Sequence, residues 1–263
     1  MLNQAVKQTS WGPVAKWYDD YLSQGHDSYQ ARVVWPNLKR LLQVKAGEAI
    51  LDLACGNGYF SRLLVEEKAK VTGVDVSAEL IKLARQQGPA AINYSVMSAD
   101  HLGLIANGVY DKVVCVLALQ NIEKVKETVG EVARVLRPGG KFYLVINHPT
   151  FRVPKASEWG YDDAKKIQYR RLDQYLSESR VAIEMNPGRR PSEPTQTTFS
   201  FHRPLQYYFK LLANAGFAVT HLEEWVSHKQ SQAGPRTKAE DRARHEFPLF
   251  LFLQAGHVSR GEL

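Results

Sequence analysis

What most constrains this chain is a rhythm. Between Ala49 and Ile146, short apolar runs alternate with amphipathic stretches. Ile50-Leu51-Asp52-Leu53 reads as a buried strand, and Lys70 to Asp75, Ala91 to Val96, Lys112 to Leu117 and Lys141 to Ile146 read as four more. Helices fit between them: one carries Phe60, Leu63, Leu64 and Val65, one is capped by Ser77 and runs through Leu83, and one runs from about Glu123 to Leu136. Arg137-Pro138-Gly139-Gly140 stops that last helix, because proline lacks the N–H and paired glycines turn the chain. Strands and helices alternating in this way imply a parallel sheet with right-handed crossovers, a doubly wound α/β fold.

The flanks behave differently. Trp11, Val14, Trp17, Tyr18 and Tyr21 recur at helical spacing behind Ser10, a potential N-cap. A second helix is predicted from Tyr29 to Leu42, with a kink or restart at Pro36. From Asn147 to Arg203 the rhythm lapses into aromatic and polar residues, and Val181 to Met185 and Thr197 to Phe201 look like two strands. A helix from Leu205 to Ala215 and strands Val219 to Trp225 and Phe247 to Leu253 return to the core. The expected organisation is N-terminal helices over 1–45, a core over 46–148 and 204–263, and an inserted cap over 149–203.

Composition excludes several classes. With 44% hydrophobic and 23% charged residues the chain is neither disordered nor fibrous. No run approaches the ~18 apolar residues that span a bilayer, and the polar first ten residues do not resemble a signal peptide. Cys55 and Cys115 are the only cysteines, which suits a reducing cytoplasm and two buried thiols. No histidine pair has metal-ligand spacing, so no metal is expected.

The chemistry concentrates at the first strand's end, in Leu51-Asp52-Leu53-Ala54-Cys55-Gly56-Asn57-Gly58. Glycines there permit positive φ and close approach of a ligand, and the following helix N-terminus favours an anion. A dinucleotide site needs a third glycine where this chain has Ser61, and the Asp52 charge would oppose a pyrophosphate. A ligand with both an ammonium and a carboxylate suits the turn better. Asp75, closing the second strand, stands where a carboxylate accepts ribose hydroxyls. Asp100 reads equally as an acceptor from an adenine amino group or as a helix N-cap.

Together, Ile50 to Tyr59, Val74-Asp75-Val76-Ser77, Ala99-Asp100-His101, Tyr110 to Val114 and Val135 to Lys141 resemble the motif series of class I S-adenosylmethionine-dependent methyltransferases, over about residues 46 to 148. The resemblance implies a Rossmann-like seven-stranded sheet of order 3-2-1-4-5-7-6 with an antiparallel last strand, for which Phe247 to Leu253 is the candidate. It implies S-adenosylmethionine as cofactor, with Asp52, Ala54, Cys55, Gly56 and Gly58 around its methionine end. Asp75 would hold the ribose, Val76, Asp100 and His101 would meet the base, and Leu117 would lie under the methyl. Tyr18 is similar to the tyrosine of a helix that closes over the cofactor in such enzymes.

Methyl transfer is an in-line displacement, so alignment and exclusion of water dominate, and a base is needed only for an acceptor that holds its proton tightly. His148, beyond the fifth strand, reads either as that base or as a loop histidine bonded to backbone. Gln120 and Asn121 beyond the fourth strand, and Asn147, are further candidates; His202 reads as pocket lining or as a packing residue. A small-molecule acceptor is expected. The net charge of +7 and basic clusters around Lys165-Lys166, Arg170-Arg171 and Arg242 keep an RNA base as the alternative acceptor, although acidic residues among them favour solvated ion pairs. A non-catalytic protein that binds the same cofactor is a third reading.

Overall fold

The computed structural model describes residues 11–23, 27–185, 195 and 197–257. Helix α1 spans Ala15–Ser23. A π-helical stretch, Gln30–Val34, runs directly into α2, Trp35–Leu42. Pro36 explains the pair. Its ring and missing N–H disrupt the hydrogen bond to the preceding turn, and the wider π stretch absorbs the defect where α2 restarts with proline in its first positions.

The core follows as β1 (Ala49–Leu53), α3 (Tyr59–Glu66), β2 (Lys70–Asp75), α4 (Ala78–Gln87), β3 (Asn93–Val96), β4 (Tyr110–Val116), α5 (Val125–Val135) and β5 (Leu136–Asn147). Two hairpins come next, β6 (Ser157–Asp162) with β7 (Ile167–Leu172) and β8 (Ser179–Glu184) with β9 (Thr197–His202). The chain then returns through α6 (Leu205–Asn214), β10 (Phe217–Trp225), α7 (Thr237–Glu246) and β11 (Phe250–His257). The main sheet has the order β10-β11-β5-β4-β1-β2-β3. β11 lies antiparallel to both β5 and β10, while the strands from β5 to β3 are parallel. This is the expected seven-stranded order and antiparallel last strand.

Strand periodicity divides the core into two layers. Leu51, Leu53, Val113, Cys115, Phe142 and Leu144 face α5 and α6, packing with Val129, Val132 and Leu211. Ile50, Val114, Val116, Tyr143 and Val145 face the other way, onto Leu38 and Leu42 of α2, Leu64 of α3 and Ile81 of α4. Both faces are covered, which is why these strands read as nearly continuous apolar runs.

Three elements depart from expectation. The β6–β7 hairpin occupies sequence read only as irregular, and α7 was not foreseen. β5 begins at Leu136, so the Arg137-Pro138-Gly139-Gly140 turn is an irregular entry to the strand: Gly139 has φ 75° and the pairing register shifts after Tyr110. The basic clusters are interlaced with acids, Lys165 with Asp162, Lys166 with Asp163, and Arg171 with Glu158 and Asp173. Among the described residues, no helix is long and apolar enough to cross a membrane and no His, Cys, Asp and Glu group could hold a metal ion.

Candidate active site

The carboxyl ends of β1, β2 and β4 converge on a narrow cleft of about 120 Å³. Asp52, Ala54, Cys55, Gly56, Asp75 and Val76 form one side, Val116, Leu117, Ala118, Asn121 and Ile122 the other, and Trp11 borders it from the N-terminal segment. Four residues here have positive φ: Ala54 (57°), Gly56 (57°), Gly58 (75°) and Leu117 (55°). At Ala54 and Leu117 that conformation costs a side-chain-bearing residue roughly 1–2 kcal/mol each. Both lie just beyond a strand, where the backbone turns away along the cleft wall.

Asp75 is buried, and each of its oxygens accepts one backbone N–H: Oδ2 from Gly56 at 3.0 Å and Oδ1 from Ser77 at 2.9 Å. The turn is thereby tied to the next strand, and the carboxylate keeps acceptor capacity for a further donor. Burial raises the Asp75 carboxyl above the usual range, with the Ser77, Gly56 and Val76 N–H groups opposing. Asp52 is equally enclosed and accepts from Ser61 Oγ at 2.5 Å. Burial, against that bond and aided by the neighbouring Asp75 charge, pushes its carboxyl up to about 7. Burial also raises the Cys55 thiol well above its ordinary value and Cys115 to about 12, so neither is a nucleophile.

Gly58 caps α3, and a side chain there would lie 2.2 Å from Tyr94 Oη. Asn57, between the two glycines, donates from Nδ2 to Asp19 Oδ1 at 2.7 Å, fastening α1 to the turn. Tyr18 lies on α1, but its side chain is outside the described residues. Asp100 and His101 do not line the cleft. Burial would raise the Asp100 carboxyl, but Ser98 and Lys124 bind it and hold it below the usual range; His101 is exposed.

A second, larger cavity joins the first at Trp11, Leu117 and Asn121 and runs between the core and the two hairpins. Gln120 borders it and is 7% exposed; its Nε2 donates to the Leu117 carbonyl at 2.7 Å, while Oε1 has no partner. His202 lines an adjoining recess and donates from Nε2 to the Tyr175 carbonyl at 2.7 Å. His148 borders neither cavity. Its Nδ1 accepts from Thr150 N, which places the proton on Nε2, 2.6 Å from Glu224 Oε1. Burial holds this imidazole below its ordinary value, with Glu224 opposing.

Sequence reasoning missed Trp11, Asn57, Arg152 and Arg170 as site residues. Asn57 was findable, since it sits between the two glycines. Arg152 and Arg170 follow β5, the first in a loop and the second on β7, where nothing periodic marks them.

Residues 51–144 match the family model described as "Methyltransferase domain". The chain is 34% identical over 102 residues to a ubiquinone biosynthesis O-methyltransferase of Xanthomonas oryzae, covering 38% of this chain and 43% of that protein. It is 34% identical over 133 residues to a ubiquinone/menaquinone biosynthesis C-methyltransferase of Rubrivivax gelatinosus, covering 49% of this chain and 51% of that one. The matches thus span about half the length of these relatives. A crystal structure of an S-adenosylmethionine-dependent methyltransferase from Mesorhizobium loti superposes with a TM-score of 0.68 at 28% identity, covering 88% of this chain and 100% of that one. Strand order, motif-bearing turn and these likenesses agree: residues 51–144 form a methyltransferase domain, set in a sheet of the class I S-adenosylmethionine-dependent methyltransferase fold.

Proposed function

We propose that the chain transfers a methyl group from S-adenosylmethionine to a small molecule held between the core and the hairpin cap. The observation that carries this reading is the pair of joined cavities. One is walled by two buried carboxylates and left-handed backbone, the other is roofed by the hairpins, and they meet at Leu117 and Asn121.

The donor set fits the cofactor. Asp52, enclosed and reluctant to ionise alone, gains from a cation and would pair with the ammonium. Asp75 would accept the ribose hydroxyls with its remaining lone pairs, and Val76, Leu80 and Ile122 offer apolar walls to the base. When bound, S-adenosylmethionine supplies an electrophilic methyl on a positively charged sulfur. The protein's part is to orient the acceptor and exclude water. Leu117, its carbonyl held by Gln120, fixes the wall between the two cavities. Gln120 has a free acceptor oxygen for a donor on the substrate. His202 lines the recess and is the better placed of the two histidines to meet the acceptor, whereas His148 positions the turn after β5. The names of the two relatives, an O- and a C-methyltransferase, support a small acceptor and leave the methylated atom open.

Calorimetry of the purified chain with S-adenosylmethionine and S-adenosylhomocysteine, with NADH as control, tests the cofactor. Both sulfur ligands should bind at micromolar concentration and NADH should not. Transfer of labelled methyl to a mixture of small metabolites, run beside transfer RNA, tests the acceptor; label entering only RNA would refute the small-molecule reading.

A further inference from the structure

The two joined cavities have opposite electrical character. The cofactor cleft contains Asp52 and Asp75 and no cationic side chain among its described lining residues. The acceptor cavity contains Arg152, Lys155 and Arg170 and no carboxylate among its own. Two of these cations have fixed postures. Arg170 donates from Nε to the Phe151 carbonyl at 3.0 Å and from Nη2 to Ser157 Oγ at 2.6 Å, and its guanidinium lies 5.0 Å from the Trp159 ring centroid. Burial pushes its pKa below the ordinary arginine value, opposed by the Glu158 charge. Arg152 donates from Nη1 to Asn147 Oδ1 at 2.7 Å, at the end of β5.

Both arginines also line a smaller aromatic recess walled by Tyr29, Phe151, Trp159 and Phe247. Phe247 meets Phe151 and Trp159 edge-on, at 5.4 and 5.3 Å between centroids. The arginines thus stand where the acceptor cavity meets an aromatic side chamber. Deeper in, Arg203 is 5% exposed and borders the His202 recess; its Nη2 donates to the carbonyls of Ile122 and Glu123, while Nη1 meets no acceptor. A buried guanidinium N–H without an acceptor is costly, and an anionic ligand oxygen is the group that best removes the cost.

We propose that the methyl acceptor is an organic anion: a compact carboxylate or phosphate, gripped by Arg152 and Arg170, joined to an apolar or aromatic body that reaches the side chamber. This rests on the methyltransferase reading and adds the substrate class. Guanidinium groups favour such anions because they present paired N–H donors in the geometry of a carboxylate or phosphate. Opposite polarity in the two chambers also sorts the ligands, the cationic cofactor to the acidic side and the anionic acceptor to the basic side.

The test uses the chain saturated with S-adenosylhomocysteine and four probes: benzoate, phenyl phosphate, benzamide and acetate, titrated by calorimetry at low and moderate salt. Benzoate or phenyl phosphate should bind at least tenfold more tightly than benzamide, and more tightly than acetate. Whichever aromatic anion is preferred identifies carboxylate or phosphate as the anchor. Arg152→Gln and Arg170→Gln should each weaken that binding about tenfold, with S-adenosylhomocysteine affinity unchanged. Arg170→Lys, which keeps the charge and a donor towards Ser157, covers the case in which Arg170→Gln unfolds the hairpin, and it should lose less. Benzamide binding as well as benzoate, or an anion preference that survives both Gln substitutions, overturns the proposal while leaving the cofactor reading intact. Failure of S-adenosylhomocysteine to bind the unaltered chain is the separate outcome that removes the methyltransferase reading beneath it.

Discussion

Ser61 Oγ donates to Asp52 Oδ2 at 2.5 Å, from the position where a dinucleotide-binding turn would carry its third glycine. The serine gives the buried carboxylate its one strong partner, and burial still lifts the Asp52 value to about 7. An unfolded aspartate titrates near 3.9, so between roughly pH 4 and 7 the native state holds a proton that the unfolded state has lost. The ligand-free protein should therefore lose stability as pH rises through that window, by on the order of 4 kcal/mol. A cofactor ammonium reverses the preference. Affinity for S-adenosylmethionine should fall about tenfold per pH unit below 7, because the carboxylate must first ionise. Asp52→Asn should flatten both profiles, raise the ligand-free melting temperature at pH 8 and weaken cofactor binding throughout. Calorimetry and thermal melts from pH 5.5 to 8.5 check all three; a pH-independent affinity in the unaltered chain would refute the ammonium assignment.

Gly58 is held at φ 75°, and a Cβ there would lie 2.2 Å from Tyr94 Oη and 3.1 Å from Ala84 Cβ. Gly58→Ala combines the left-handed penalty with overpacking and should destabilise by roughly 2–5 kcal/mol. Tyr94→Phe removes the nearest atom, so the double variant should recover part of the loss in urea unfolding. Strict additivity of the two changes would show that the clash is not with the tyrosine.

Asp52, Asp75, Gly56 and Gly58 were legible because one strand-end turn and one strand-end carboxylate twenty-odd residues on have a fixed spatial meaning in a doubly wound sheet. The order of the sheet was legible for a related reason: strands buried on both faces announce themselves as apolar runs. β6, by contrast, contains no buried residue, so no alternation marked it. α7 buries only Ala243 and carries charge all round, which hides its period. Arg152 and Arg170 are brought together by the folding of the cap onto β5, a relation that no local spacing encodes.

His148 shows the same limit. A strand-end histidine read equally as base or as buttress, and the structure spends both of its nitrogens, Nε2 on Glu224 and Nδ1 on Thr150 N. Its carbonyl also accepts from Arg152 N at 3.0 Å, so the ring fixes the turn that presents Arg152 to the acceptor. His148→Ala should cost about 1–3 kcal/mol by leaving buried backbone donors unpaired. In methyl transfer it should raise KM for the acceptor more than it lowers kcat, with cofactor affinity unchanged. Loss of a titrating group from the pH–rate profile together with a kcat drop of about a hundredfold would instead make His148 the base.

Asp19 joins α1 to two other elements, accepting from Asn57 Nδ2 at 2.7 Å and from Gln87 Nε2 at 2.8 Å. The first bond reaches the glycine turn itself, and the second reaches the end of α4. At the start of α1 Val14 and Ala15 are buried, while Lys16 and Trp17 are exposed, so the bonds of Asp19 are its described polar ties to the turn and to α4. An element held this way opens locally at small cost in global stability. Asp19→Ala should therefore speed release of S-adenosylhomocysteine severalfold in stopped-flow displacement, while global unfolding in urea shifts by less than about 1 kcal/mol. Asn57→Ala should have a similar effect on release, and the double variant should add little, because both changes cut the same tie. Additive increases in the double variant would mean that Asn57 acts on the ligand directly and that α1 does not gate the cleft.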